Sequence, residues 1–152
     1  MTTLLQIEAT CAICGVVGKH TVLGSTNALG SPDLDLRPPE MERSTMDLWL
    51  QECPSCGYVA GDIGVANRGE REIVSSESYS SIQSGPNSNM LSGRFQKASM
   101  IAEEHGKLEY AARYALWSAW VADDKKDHVA AVIHRSKAAN IFLTTISNLD
   151  PK

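Results

Sequence analysis

Two short stretches decide the fold: CAICG at residues 11–15 and CPSCG at residues 53–57. Each stretch places two thiols on one tight turn, where backbone amides can donate hydrogen bonds to sulfur. Two such turns form a tetrahedral cage of four thiolates, which suits Zn²⁺ at a metal–sulfur distance of about 2.3 Å. The sequence therefore predicts one zinc ion, bound by the only cysteines of the chain: Cys11, Cys14, Cys53 and Cys56.

A cage of four thiolates leaves no open coordination position. Catalytic zinc normally keeps a water at its fourth position, so we expect this zinc to be structural. The 38 residues between Cys14 and Cys53 exceed the roughly 15 to 20 residues of compact ribbons. We therefore predict a zinc-ribbon-like module over residues 1–66 with a long inserted loop, and loops of this kind often carry function.

Two other kinds of site use paired CxxC motifs. A rubredoxin-like iron centre transfers electrons from the same cage, but rubredoxins are shorter and crowd aromatic residues around the iron. Residues 1–48 contain no aromatic residue, and only Trp49 and Tyr58 lie near the second motif. A redox-active CxxC belongs in a thioredoxin-like βαβ pattern, which surrounds neither motif. Zinc is preferred, and the iron electron carrier is the alternative.

The residues around the two motifs predict short strands. β-branched residues alternate loosely over residues 4–23, which indicates a hairpin around the first motif. Residues 24–39 are rich in Gly, Ser, Asn, Asp and Pro, which favour a loop. Residues 46–51 and 58–65 are predicted as short strands on either side of the second motif, giving two hairpins in all.

The second half of the chain predicts helices. Eight serines lie between Ser75 and Ser92, so we interpret residues 67–88 as a Ser-rich connector or a weak helix. Residues 89–152 predict a helical unit of three helices that pack like a hairpin, although no clear 34-residue repeat is present. The expected fold class is α+β, with a small zinc-ribbon-like β module followed by this α unit.

The three predicted helices have distinct patterns. The first ends near Gly106, which can cap it. The second, over residues 107–125, is apolar on two faces and is therefore expected to be central. The third, over residues 127–147, has Asp127 as its N-cap. It places seven apolar residues on one side: Val129, Val132, Ile133, Ala139, Phe142, Leu143 and Ile146.

Charge and hydropathy limit the classes of partner. The formal net charge is −4, and residues 1–65 contain eight acidic but only three basic side chains. Because nucleic-acid binding depends on Lys and Arg at phosphates, a nucleic-acid-binding zinc ribbon ranks third. The N-terminus does not resemble a signal peptide. The longest charge-free apolar stretch of the helical half, residues 114–122, is shorter than the roughly 20 residues that span a bilayer. We expect a cytoplasmic protein.

Four residues are candidates for partner binding. Two consecutive prolines fix an extended backbone, which can serve for recognition or as a strut that packs on the ribbon. Tryptophan is enriched at interface hot spots, although core packing is the alternative for such a residue. The candidates are Arg37, Pro38, Pro39 and Trp120.

No motif indicates catalysis. GxSxG, P-loop, HExxH and Rossmann patterns are absent from the sequence. Asp33 and Asp35 are candidates for paired acids, but alternate acids in a Pro-bounded loop are more often turn-formers. The predicted function is a zinc-stabilised protein–protein interaction or adaptor module without catalytic activity. Its expected partner is another protein, with a homodimer through the helices as a further option.

Three segments resemble a bacterial protein family. They are DLDLRPPEM at residues 33–41, CPSCGYVA at residues 53–60, preceded by Trp49, and ALWSAWVADD at residues 115–124. In these segments the chain resembles the domain-of-unknown-function family numbered twenty-two twenty-five. The resemblance implies a pair of zinc knuckles joined to tetratricopeptide-like helices, with the four cysteines as metal ligands. It implies no activity.

Overall fold

The structure, a computed structural model of the chain, describes residues 1–85 and 90–149. Its fold class is α+β, as predicted, with β-hairpins in the first half and helices in the second. The chain divides into two compact units, Met1–Arg68 and Gly69–Lys152. The predicted boundary between connector and helical unit, at residues 88 and 89, lies outside the described residues.

The first unit contains two antiparallel hairpins. β1 (Thr3–Thr10) pairs with β2 (Val17–Ser25), which confirms the predicted first hairpin. β3 (Gln51–Glu52) pairs with β4 (Val59–Ala60). Each hairpin therefore has one CxxC motif in its connection. Between the hairpins, α1 (Glu40–Arg43) forms a single helical turn.

The predicted strand over residues 46–51 is wrong for most of its length. Met46–Leu48 form a short 3-10 helix, and only the last residue of the predicted strand belongs to β3. Met46 and Leu50 are buried and lie four residues apart, a spacing that suits one side of a helical turn. Short apolar segments fit a strand or a helical turn equally well, so their pattern cannot decide between the two.

Within residues 69–85 and 90–149, the second unit contains two short helices followed by three long ones. α2 (Glu70–Val74) and α3 (Glu77–Ser80) lie in the segment that we interpreted as a connector or weak helix. α4 (Leu91–Glu104), α5 (Leu108–Asp124) and α6 (His128–Leu149) follow. α5 packs against both α4 and α6, which confirms that the second predicted helix is central.

The ends of the long helices lie where their capping residues predicted. Gly106 adopts a left-handed conformation with φ of +67° just after α4, and the N–H of Lys107 donates to the carbonyl of Ala102 at 2.8 Å. This is a glycine cap of the Schellman type. The side chain of Asp127 accepts a hydrogen bond from the N–H of Ala130 at 3.0 Å, as an N-cap does.

Small side chains allow α5 to approach its two neighbours closely. Four of its alanines are at most 2% exposed: Ala111, Ala112, Ala115 and Ala119. The hydroxyl of Ser99 on α4 donates to the carbonyl of Ala111 at 2.9 Å. Trp117 meets the rings of Phe95 and Tyr114 edge-on, with centroids 5.5 and 5.3 Å away. The close approach of the two helix backbones and the edge-on contacts between aromatic rings hold α4 and α5 together.

Few side chains of α6 are buried. Among residues 128–148 of this helix, the buried ones are Ala131, Ala138 and Ile141. By contrast, five of the seven apolar residues that the sequence places on one side are 60–73% exposed: Val129, Val132, Ile133, Leu143 and Ile146. These five apolar side chains of α6 therefore face outward, whereas Phe142 packs against the core beside the buried Ile141.

Gly93 allows the backbone of residues 83 and 84 to lie directly on α4. A Cβ atom at Gly93 would lie only 1.8 Å from the carbonyl oxygen of Gln83. This contact is with backbone, so no side-chain rotation can relieve it. The absence of a side chain at Gly93 thus positions the segment that precedes α4.

We expect Gly93→Ala to destabilise the second unit. In an unobstructed helix interior this change stabilises by about 0.5–1 kcal/mol, but overpacking costs about 1–3 kcal/mol or more. Because the steric cost exceeds the gain in helix propensity, the midpoint of thermal unfolding, followed by circular dichroism, should fall. Ser92→Ala, one residue earlier, adds no atoms and should leave the midpoint nearly unchanged. A higher midpoint for Gly93→Ala would contradict the close backbone approach.

Candidate metal centre

The two CxxC motifs form the same tight turn. In the first, the N–H of Cys11 donates to the carbonyl of Val16 at 2.9 Å, and the N–H of Gly15 donates to the carbonyl of Cys11 at 2.8 Å. The two equivalent bonds of the second motif, from Cys53 and Gly57, measure 2.8 and 2.9 Å. The repeated pattern gives two knuckles with matched backbone geometry.

The glycine after each motif has a conformational role. Gly15 has φ of +75° and Gly57 has φ of +69°. Glycine adopts this left-handed region without the steric cost that a Cβ atom brings. Each knuckle can therefore turn back into the following strand, which explains why Gly follows both CxxC motifs.

The two knuckles bring four sulfur atoms together. All four Sγ atoms lie within 4.8 Å of one another, with Cys11–Cys56 at 3.7 Å and Cys14–Cys53 at 3.6 Å. Tetrahedral zinc with bonds of about 2.3 Å requires sulfur–sulfur distances of about 3.8 Å. A disulfide would need about 2.05 Å. The four predicted residues are thus arranged to hold a metal ion.

Burial and backbone amides have opposite effects on the thiols. Burial raises the pKa values of Cys11 and Cys56 above the usual range. A hydrogen bond from the backbone of Val16 lowers the pKa of Cys14 to about 7. Since thiolates are the metal-binding form, a cation must displace the protons of the Cys11 and Cys56 thiols when it binds.

The segment after β4 supports both knuckles. The N–H of Ala12 in the first knuckle donates to the carbonyl of Ile63 at 2.8 Å. The N–H of Ile63 donates to the side-chain oxygen of Gln51 at 3.2 Å, and the hydroxyl of Tyr58 donates to the carbonyl of Val65 at 2.8 Å. These bonds fix the relative position of the two knuckles and hence of the four sulfur atoms.

Three of the predicted partner-binding residues form a strut within the first unit. Arg37 is only 8% exposed, and its guanidinium lies 3.9 Å from the sulfur of Met46. The carbonyl of Pro38 accepts a hydrogen bond from Nε of Arg43 at 2.9 Å. Pro38 and Pro39 are half-buried. These contacts favour a structural role for this segment, as a strut that packs on the ribbon, over a role in recognition.

Trp120, the fourth predicted partner-binding residue, lies in the interior. Its side chain is 3% exposed, and its ring lies 6.4 Å from that of Trp117. A buried ring offers no surface to a partner, so we assign Trp120 to core packing. The residue lies between two apolar faces of α5, and the pattern alone does not show which neighbour covers it.

Asp33 acts as a turn-former. Its carboxylate accepts a hydrogen bond from Arg43 at 2.8 Å, and its backbone carbonyl accepts from the N–H of Leu36 at 2.9 Å. The N–H of Asp33 donates in turn to the carbonyl of Arg37 at 2.9 Å. Residues 33–37 therefore form a tight turn, which we call the 33–37 turn.

Sequence reasoning missed three leucines of the loop between the knuckles. Leu29 is 81% exposed, Leu34 is 108% exposed and Leu36 is 76% exposed. The available signal was the presence of three large apolar residues in a segment otherwise composed of turn-forming residues. Because loops often carry binding residues, these exposed leucines are candidate contacts for a partner.

Comparison with known proteins gives no relative: no protein-family model, curated protein or solved structure matches the chain. The resemblance to the bacterial family therefore stays a prediction. Among the helices in the part of the chain that the structure describes, none is long and apolar enough to cross a membrane.

We expect Cys53→Ser to unfold the first unit and leave the helices intact. The change removes one of four ligands, and metal binding contributes much of the folding free energy of small sites. Metal per chain should fall to near zero by elemental analysis, while the helical signal in circular dichroism should persist. Ser55→Ala, an exposed position in the same knuckle, is the matched control. Full metal retention in Cys53→Ser would contradict the four-thiolate site.

Proposed function

We propose that the four cysteines bind one structural Zn²⁺ and that the first unit uses this scaffold to present its long loop to another protein. The observation that carries the proposal is the set of exposed leucines, Leu29, Leu34 and Leu36, on a loop with fixed anchor points. No catalytic step is assigned, because the cage uses four protein ligands and leaves no position for a substrate.

The surroundings of the cage favour zinc over iron. Four thiolates bind either ion, but a rubredoxin-like centre is crowded by aromatic residues. Residues 1–68 contain only two, Trp49 and Tyr58. The indole N–H of Trp49 donates to the hydroxyl of Thr45 at 3.0 Å, and the hydroxyl of Tyr58 is bonded to the carbonyl of Val65. The polar groups of both rings therefore serve local structure.

The loop is anchored on both sides of Leu34 and Leu36. The ion pair of Asp33 with Arg43 and the bond from Arg43 to the carbonyl of Pro38 connect the 33–37 turn to α1. Within this turn, Leu34 and Leu36 alternate with more buried neighbours. Binding costs less conformational entropy when the contact residues are held in place beforehand, so the anchors favour recognition.

The backbone of Leu36 is also unusual. Its φ of +65° lies in the left-handed region, which is uncommon for a residue other than glycine and costs roughly 1–2 kcal/mol. Strain of this kind is concentrated at sites of function. Because the conformation holds the Leu36 side chain outward, it supports a binding role for the turn.

The charge of the first unit indicates the chemistry of the partner. Residues 1–65 contain eight acidic and three basic side chains. Full burial of one exposed leucine side chain by a partner contributes about 1.5–3 kcal/mol of favourable free energy. A protein surface with an apolar pocket and a basic rim matches both properties, whereas nucleic acid matches neither.

Metal analysis with a visible spectrum tests the first part of the proposal. We expect colourless protein with one zinc per chain after expression in medium that contains both zinc and iron. Red protein that contains iron would overturn the zinc assignment and support the electron-carrier alternative.

The double variant Leu34→Ser, Leu36→Asn tests the loop. Asn tolerates positive φ, so this variant removes two apolar side chains while the turn is retained. We expect it to lose partners that the wild-type chain captures from a lysate of its native organism, with zinc content unchanged.

The matched control for the loop is Leu4→Thr, Leu5→Thr. It removes two leucines of β1 that are 55% and 54% exposed and keeps residues that favour strands. It should capture the same partners as the wild-type chain. Equal capture by the loop variant, or equal loss in the control, would exclude the loop as the specific contact.

A further inference from the structure

α6 carries an outward apolar stripe with heptad spacing. Its members follow one another at intervals of three and four residues, and all are exposed. The four large ones are 61–73% exposed. We call this set the α6 stripe: Val129, Val132, Ser136, Ala139, Leu143 and Ile146.

The α6 stripe is separate from the face that holds α6 in its own unit. That inner face includes Ala131, Ala138 and Ile141, which are at most 9% exposed, and Phe142 packs against the same core. Alternation of three and four residues is the pattern of helices that pair through a narrow seam. The α6 stripe thus has the form of a second helix-packing face.

Charge does not oppose pairing of two copies of this face. The stripe itself contains no ionisable residue. The two cations beside it are bound within the unit: Arg135 pairs with Asp123 at 2.5 Å, and Lys137 pairs with Glu103 at 2.6 Å. Two stripes can therefore meet without unpaired like charges between them.

We propose that the α6 stripe binds the α6 stripe of a second copy of this chain in antiparallel orientation. A two-fold axis between residues 137 and 138 sets Val129 opposite Ile146 of the second copy, Val132 opposite Leu143 and Ser136 opposite Ala139. Large residues then meet large ones at both ends, and small residues meet at the centre. Antiparallel helix dipoles also attract each other.

The centre of the stripe distinguishes a helix from a lipid surface as its occupant. Ser136 and Ala139 lie at the middle, where a membrane-bound helix would place large apolar residues, whereas a neighbouring helix gains close approach from small ones. The ion pairs of Arg135 and Lys137 also reduce the attraction to anionic lipids. These features favour a protein helix.

The size of the stripe sets the expected affinity. Seventeen residues separate its ends, which corresponds to about 26 Å along the helix axis. A contact one helix wide and of this length lies at the low end of specific interfaces. We therefore expect a reversible dimer with a dissociation constant of about micromolar or above. This inference does not rest on the proposed loop function, because the two use different surfaces.

Sedimentation velocity of the zinc-loaded full chain over a concentration series tests the dimer. The wild-type chain should shift from monomer to dimer, and Leu143→Glu and Val132→Glu should stay monomeric with unchanged circular dichroism. Thr144→Glu adds the same charge at an exposed neighbouring position outside the stripe and should dimerise like wild type. A wild-type chain that stays monomeric at several hundred micromolar, or a Leu143→Glu variant that dimerises normally, overturns the proposal.

Two further measurements fix the orientation and the occupant. The double variant Ser136→Cys, Ala139→Cys should form a disulfide-linked dimer under mild oxidation much faster than Ser136→Cys alone. Equal rates would overturn the antiparallel orientation. Flotation with vesicles of phosphatidylserine and phosphatidylcholine should leave the wild-type chain unbound. Vesicle binding that Leu143→Glu abolishes would assign the stripe to a membrane surface instead.

Discussion

The convergence of four sulfur atoms is the constraint on which the first unit depends. β3 and β4 contain two residues each, and two-stranded hairpins are marginally stable in water. The buried apolar residues around the knuckles are few, with Ile13, Tyr58 and Ile63 among them. A metal ion bound by the four sulfur atoms would cross-link both knuckles and add to stability, because binding free energy becomes folding free energy when the unfolded chain has no preformed site.

A closed cage separates stability from function within the first unit. The two knuckles fix the ends of the segment between Cys14 and Cys53, and the buried Arg37 with the Arg43 contacts fixes its middle. Among the residues that remain exposed between these points are two large apolar side chains, Leu34 and Leu36. A rigid frame that displays apolar side chains is suited to binding, since little conformational freedom is lost when a partner covers them.

The second unit is stabilised differently, by the close approach of its helices. α6 turns Ala131, Ala138 and Ile141 inward, and Ile141 packs with Ala111 and Ala112 of α5. On the other side of α6, Val132 and Leu143 face outward. The α6 stripe lies outside this packed face, and a hydrophobic surface of this kind on a helix is where association is expected.

Local chemistry in the sequence determined the features that depend on neighbours along the chain. The CxxC spacing with Gly15 and Gly57 determined the knuckles, and Gly106 and Asp127 determined two helix ends. Only the tertiary structure decided which face of α6 is buried, that Trp120 is internal, and that residues 46–48 form a helical turn. The physical reason is that periodicity identifies an apolar face but not the element that covers it. Which face is covered depends on the side chains of a neighbouring helix, and these side chains are distant in the sequence.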